Sequence, residues 1–476
     1  MNGFCCLKYW RDNYEKEIDL KKVLFLFFIF ILTGGGTWGT RLLYAQSFGF
    51  DDEETVTAGL GAVTGALKVS VNGEASTSVI GYIDDFKEGA SEVKFGDLFS
   101  GGIGFSAETS YAQGVIKLKL KPSENPVEIN EAYLRGFFGR LEIEAGMRKL
   151  SWGKADSFGP LDIINPIDSS EIYTEMADNN SLMGVKIARP LIHASFRFRQ
   201  FSKIECVFIP NFEPVRFAAD GRWAPKPPPF QKKIMEQASM MGFDLDSGFE
   251  LSSPETDAID YAQAGLRFTT TIGSSDIGAQ YYYGRLTQPA IKINILEQSA
   301  EYLYNPYHQI GIDYATVLLG FNIRAEFAAN ITEDLKGDDG SVYNPSLAWS
   351  FGFDRDLFWG ININLQVNES IRLLNGKVLS TDILTESFDI EDGMSVTTTR
   401  ITATVSKKFL RDTLEFRTAV VWGIEDSDCA VMPALIWTKD DMRLAFSCGF
   451  FAGDSDGQLG QYRDNTFLKL TFAYSF

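Results

Sequence analysis

Imidazole and thiol are scarce in this 476-residue chain, which holds two histidines and five cysteines. Any Ser/His/Asp triad would have to draw on His193 or His308. Neither His-Glu-x-x-His nor Gly-x-x-x-x-Gly-Lys-Ser/Thr occurs. An enzyme is therefore not expected, and no cofactor or metal site is expected either. Asp454-Ser-Asp456-Gly457 opens like a calcium loop but lacks the later ligands, so it reads as a polar turn. His193 is expected at a short turn beside apolar-facing Ala194, Phe196 and Phe198, as an interfacial residue, and His308 at the start of a strand.

Long hydrophobic runs are missing too. The one apolar run, Val23–Leu32, is short of the about 20 residues a membrane helix needs. Lys21 and Lys22 precede it and a Gly/Thr-rich stretch leads to Leu43-Tyr44-Ala45, the three parts of an export signal. Residues 1–45 are expected to be removed, with 1–19 an upstream extension. Their loss takes six basic and four acidic residues from totals of 44 and 63, leaving a net charge of -21. Nucleic acid is excluded as a partner, because phosphate binding needs clustered Lys and Arg. Cys206, Cys429 and Cys448 remain, an odd number with no metal-like spacing. Cys206 and Cys448 fall on apolar strand faces and read as small buried hydrophobes.

What the chain does have is alternation. In Phe467-Leu-Lys-Leu-Thr-Phe-Ala-Tyr-Ser-Phe476, residues Leu468, Leu470, Phe472, Tyr474 and Phe476 share one face and Lys469, Thr471, Ala473 and Ser475 the other. The same two-sided pattern recurs in 140–148, 321–327 and 361–368. It fits a soluble sheet with one face on a core, or a membrane barrel with lipid outside and a wet interior. Connection lengths separate the two. Tight turns at Phe138-Gly139, Gly273–Ser275, Leu319-Gly320, Asp354–Asp356, Arg411-Asp412 and Asp440-Asp441 alternate with long links at 149–180, 210–257, 286–307, 331–344 and 371–395. Short turns at one rim and long loops at the other are the barrel pattern.

Candidate strands lie at 63–82, 100–109, 111–121, 127–138, 140–149, 181–190, 193–209, 258–272, 275–286, 308–318, 320–330, 346–354, 357–370, 396–408, 412–424, 428–438, 441–453 and 465–476. The expected fold is all-β, an antiparallel transmembrane barrel of 18 strands, or 16 if the first two are dropped. It would occupy 57–476, with 46–56 as an acidic periplasmic tail containing Asp51–Glu54. The barrel interior should receive more cations than anions. The inward cations are Lys117, Lys119, Arg135, Arg140, Arg148, Arg197, Arg199, Arg267, Arg324, Arg400, Arg417, Arg443 and Lys469, and the inward anions Glu131, Glu142, Glu144, Glu205, Glu326 and Glu415. Rings of Arg and Lys favour anionic solutes, unless the inward charges pair across strands.

Two resemblances rest on these residues. The terminal strand, with Phe476 last, resembles the assembly signal of bacterial outer-membrane β-barrels, which implies recognition by the barrel assembly machinery. Gly146, Arg148, Trp152, Gly153, Ala155, Asp156, Asn165 and Pro166 resemble the Gly-x-Arg, Trp-Gly-x-Ala-Asp and Asn-Pro sequence of a group of porin-like outer-membrane proteins. That resemblance implies a channel narrowed by an inward loop. Trp152, Lys154, Asp156, Asp162 and Asn165 then join Arg140, Glu142, Glu144, Arg148, Arg197, Arg199, Arg267, Arg324, Arg400 and Arg417 as candidate pore-lining or constriction residues. The longest loop carries Ala224-Pro-Lys-Pro-Pro-Pro-Phe230, stiff and extended, and a methionine-rich stretch suited to a short helix. It reads as a lid or as a mobile surface loop. The expected function is passage of small solutes, anionic or amphipathic, across the outer membrane, with a homo-oligomer left open. The alternative is a surface barrel that binds partners through its loops.

Overall fold

Strand-forming Val, Ile, Phe, Tyr and Thr at alternate positions produce, among the described residues, eighteen wall strands, each paired with its neighbours in the chain and the first with the last. The computed structural model describes residues 67–83, 94–95, 99–121, 127–178, 182–242, 250–294 and 299–476. The expected signal and acidic tail lie outside them. The wall consists of β1 (Lys68–Tyr82), β2 (Ser100–Glu108), β3 (Ala112–Leu120), β4 (Glu128–Phe138), β5 (Leu141–Arg148), β6 (Arg189–Arg199), β7 (Ser202–Ile209), β8 (Gln263–Ile272) and β9 (Ser275–Arg285). It continues through β10 (Pro306–Leu318), β11 (Phe321–Thr332), β12 (Ser346–Asp356), β13 (Ile361–Arg372), β14 (Thr397–Phe409), β15 (Leu414–Gly423), β16 (Asp428–Lys439), β17 (Met442–Ala452) and β18 (Phe467–Ser475). All pairings within this wall are antiparallel, and β1 closes on β18 from Glu74↔Ser475 to Tyr82↔Phe467. Closure removes the open sheet edges along the seam from Gly73 to Tyr82. Phe476 extends the seam, since its backbone N–H and C=O each bond Gly73 at 2.8 Å.

The two faces separate by polarity as the alternation requires. On β18, Leu468, Leu470, Phe472 and Tyr474 are 37–47 % exposed on the outside, whereas Thr471 and Ala473 are 8 % and 1 % exposed on the inside. Ile310, Ile312 and Tyr314 on β10 likewise face out, while Gln309 and Asp313 are buried inside. An outer surface of this kind is at odds with water and suited to lipid. Tight turns close one rim. At 319–320 both central residues have positive φ, 54° at Leu319 and 79° at Gly320, the twist that a two-residue hairpin needs. Long loops 149–188, 210–262, 286–305, 333–345, 373–396 and 453–466 leave the other rim.

Five expectations change. The segment expected as a strand at 181–190 is mostly loop, and 193–209 is instead a hairpin of β6 and β7 turning at 200–201. Apolar alternation in 181–190 reflects packing of the loop, where Val185 and Ala188 are buried, and not a spanning strand. His193 therefore sits within β6, facing the lumen between Glu144 and Glu205. Asp354 and Asp356 belong to β12, which turns only at 357–360. Cys206 is exposed on the outer face and not buried, because a barrel's apolar face has no protein on it. Within the long loops lie helices α1 (Ile172–Asp178), α2 (Leu182–Val185) and α3 (Pro229–Met240). The 286–305 loop carries the short strands Ala290–Asn294 and Ser299–Leu303, the latter parallel to Glu250–Ser252.

Candidate functional site

Loop 149–188 leaves β5 at the long-loop rim and descends into the barrel. Its first limb, 150–165, docks on the inner face of β8–β13. Trp152 packs over Gly265 and Tyr282, where a Cβ on residue 265 would strike the indole. Gly153 has φ 97°, and both it and Gly159 leave room for the Glu326 carboxylate of β11. That carboxylate accepts backbone N–H groups from Lys154, Ala155 (2.7 Å) and Leu161 (3.3 Å). Gln366 of β13 accepts from Asp156 and Ser157 at 3.0 Å, while Gln280 and Gln309 donate to the carbonyls of Leu161 and Pro160 at 3.0 Å. Buried backbone groups must find partners, and here the wall supplies them. The Trp-Gly-x-Ala-Asp stretch is thus a docking segment.

The charged members of that stretch point into the lumen near the tight-turn rim. Asp156 bonds Arg324 and Asn364 (2.7 Å), Arg324 also pairs with Asp354 at 2.7 Å, and Lys154 reaches Asp276 at 3.3 Å. Asp162 pairs with Lys186 at 2.6 Å. Asn165 ties the two ends of the loop together, accepting from Leu150 N–H at 2.7 Å and donating to Arg148 O and Ile187 O.

The second limb carries α1 to a different wall. Arg417 of β15 donates to Ala177 O at 3.2 Å and Arg443 of β17 to Asp178 O. The Asp178 carboxylate takes Lys469 Nζ (2.7 Å), Ser447 Oγ and Thr471 Oγ1 (2.6 Å). Beneath it, Ala434, Ile436 and Ala445 form a small apolar patch on the inner face. With one limb on β8–β13 and the other on β15–β18, the loop spans the lumen.

The remaining inward charges form ion pairs along the wall. Arg148 bonds Glu131 at 2.7 Å, Arg135 bonds Glu144 at 2.6 Å, and His193 stands 2.9 Å from Glu144. Arg267 pairs with Asp313 at 2.7 Å, and Arg400 with Asp426 at 2.7 Å. Arg140, Arg197 and Arg199 are exposed at the tight-turn rim, Arg197 with Glu142 at 3.3 Å, and so stand away from the loop. Sequence reading passed over Asp178, Gln280, Gln309, Gln366 and Asp313. Alternation marks the four wall residues as inward, but nothing near Asp178 in the chain marks it.

The described part of loop 210–262 packs against the other loops of the long-loop rim. Pro229 at the start of α3 suits a helix N-terminus, and Phe230, Ile234 and Ala238 recur on one face and are buried. That face packs with Ala290 and Ile390. Lys232 pairs with Asp456 at 3.0 Å, Lys233 with Asp392 at 2.8 Å, and Gln237 bonds Thr381 O and Ile383 N–H. Trp223 joins Tyr82, Tyr173, Phe451, Tyr462 and Phe467 in a buried aromatic cluster. Between the two loops, a cavity of about 560 Å³ is lined by Lys119, Lys121, Arg216 and Arg222 against Glu128, Asp168, Glu171 and Asp220. Its lining is balanced in charge.

Burial pushes the Glu391 carboxyl in the 373–396 loop up to about 7, against the opposing pull of Arg372. Gly453-Asp454-Ser455-Asp456-Gly457 does have Gly-x-Ser-x-Gly spacing, but it enters an open loop, and both imidazoles are engaged elsewhere, His193 by Glu144 and His308 by Tyr281. Among the described residues, no three His, Cys, Asp or Glu side chains are grouped to hold a metal ion.

No protein-family model and no curated protein matches the chain. Solved structures similar to it include OmpF of Salmonella typhi in complex with daunomycin, at 10 % identity and TM-score 0.40 over 86 % of this chain and 97 % of that one. OccK11 (OpdR) of Pseudomonas aeruginosa is similar at 10 % identity and TM-score 0.47, over 86 % and 96 %. A BenF-like porin from Pseudomonas fluorescens Pf-5 is similar at 8 % identity and TM-score 0.46, over 86 % and 98 %. These are distant likenesses. The closed wall and its inward loop carry the functional reading.

Proposed function

We propose that the chain is an outer-membrane, porin-like channel through which small solutes diffuse. One observation carries the reading: a closed wall with an apolar outside and a charged inside is crossed by its own loop. Only closed barrels and helices satisfy their backbone within lipid, and an interior with polar lining stays wet. Lys154, Asp156 and Arg324 line the narrowing on one side, and α1 bounds it on the other. Loop 210–262 acts as a lid over the mouth.

Export through 1–45, recognition of Phe476 by the barrel assembly machinery and assembly into a homo-oligomer belong to the same reading. Preference for anionic or amphipathic solutes belongs to the same reading, on the inward excess of Arg and Lys over Glu. Purified protein in planar bilayers should give stepwise openings, larger or more frequent once residues 210–257 are removed. A folded barrel that stays silent under both conditions would sink the channel, and binding of ligands by its loops would then replace it.

A further inference from the structure

Most inward cations of this barrel find their counter-charge on the wall itself. Arg148 pairs with Glu131, Arg267 with Asp313, and Arg324 with Asp354. The β15–β18 wall differs. In register across it run Arg417, Ala434, Ser447 and Lys469, with Arg443 two inward-facing rows nearer the tight-turn rim. Two acids lie on that face: Glu415, and Asp428 at the long-loop end of β16, which is engaged by Arg400 of β14 and by Leu459 N–H. The balance comes from the loop: Asp178, 4 % exposed, gives its carboxylate to Lys469, Ser447 and Thr471, and the carbonyl end of α1 faces Arg417 and Arg443. Carbonyls at a helix C-terminus carry partial negative charge, so α1 is oriented to complement these guanidinium groups.

We propose that Asp178 is the residue that sets the channel's charge preference, by supplying from the loop the counter-charge that the β15–β18 wall lacks. This rests on the channel reading above. With Asp178 in place the wall is close to neutral toward a passing solute. Without its charge, Lys469, Arg443 and Arg417 face the lumen in excess, and a cluster of that sign draws anions. Asp178 thereby restrains an anion preference that the wall alone would impose.

The test compares the full-length protein with Asp178→Asn, which keeps the shape and removes the charge. In bilayers under a potassium chloride gradient, the reversal potential should shift so that the anion-to-cation permeability ratio rises by about twofold or more. Lys469→Met added to Asp178→Asn should return it toward the parent. An unchanged reversal potential in Asp178→Asn overturns the proposal. A second measurement does not need conduction. Ala419→Cys places a thiol two residues from Arg417 on the same half-buried inner face, in a chain whose native cysteines are replaced by alanine. Anionic and cationic thiosulfonate reagents then report the local field, and their rate ratio should favour the anion about threefold more when Asp178→Asn is added. A silent parent would overturn the channel reading alone, and an unchanged rate ratio would overturn the role of Asp178.

Discussion

The two limbs of loop 149–188 are held on two unlike walls. The first limb gives its backbone N–H groups to wall acceptors, Glu326 and Gln366, and turns Lys154 and Asp156 toward charged wall residues at the narrowing. The second offers a carboxylate and two carbonyls to wall donors, Lys469, Arg443 and Arg417, above a floor of alanine and isoleucine. Wall and loop thus exchange roles between the two sides. A limb tied by several buried backbone bonds is fixed, because releasing it would strand N–H groups away from water. A limb tied by one carboxylate and a helix end has fewer bonds to lose, so it is the side on which the lumen can change.

The sharpest way to break that contrast is on the ionic wall. Arg267 and Asp313 are 4 % and 0 % exposed, so Asp313→Ala leaves a buried guanidinium with only Gln280. A loss of about 3–5 kcal/mol is expected, measured by urea unfolding of the barrel in detergent. Next comes Glu326→Ala, which strands three loop N–H groups and should cost about 3 kcal/mol while raising single-channel conductance. Equal conductance to the parent would mean that the first limb does not form the narrowing.

Beneath the second limb, Ala434→Leu adds bulk to the small apolar patch, where the parent residue is 2 % exposed. Overpacking of about 1–3 kcal/mol should unseat α1 before it unfolds the barrel, seen as faster proteolysis of 166–188 at an unchanged unfolding midpoint. The smallest effect concerns the 373–396 loop, against which α3 packs. Glu391 ionises at about 7 in the seated 373–396 loop and at 4.5 when exposed. The seated loop therefore holds the proton more tightly, so its stability is full below the exposed value and falls as pH rises toward the seated one. Protease nicking of this loop should increase between about pH 5 and 7, and Glu391→Gln should flatten the profile.

Much of this could be read from residue order. Alternation in β10–β18 gives both strand positions and faces, because a strand with lipid on one side and water on the other must alternate. The pattern failed at 181–190, where a loop packed inside a barrel buries apolar residues much as a strand does. It also misplaced His193, whose neighbours Ala194 and Phe196 face outward while the imidazole faces in. Trp152, Gly153 and Asp156 stood out as a motif, yet what they dock against lies 110–215 residues away, at Gly265, Glu326 and Gln366.

By itself, the sequence determined the all-β class, a count of 16 or 18 strands, the apolar exterior and the rim that carries the long loops. Each follows from local periodicity and turn length, which neighbouring residues impose on one another. Only the tertiary structure decided which acids meet which cations, that Glu326 receives the first limb, and that Asp178 balances a wall nearly 240–295 residues further along the chain. Those contacts depend on how a closed cylinder brings distant strands to one lumen, and no local pattern encodes that geometry.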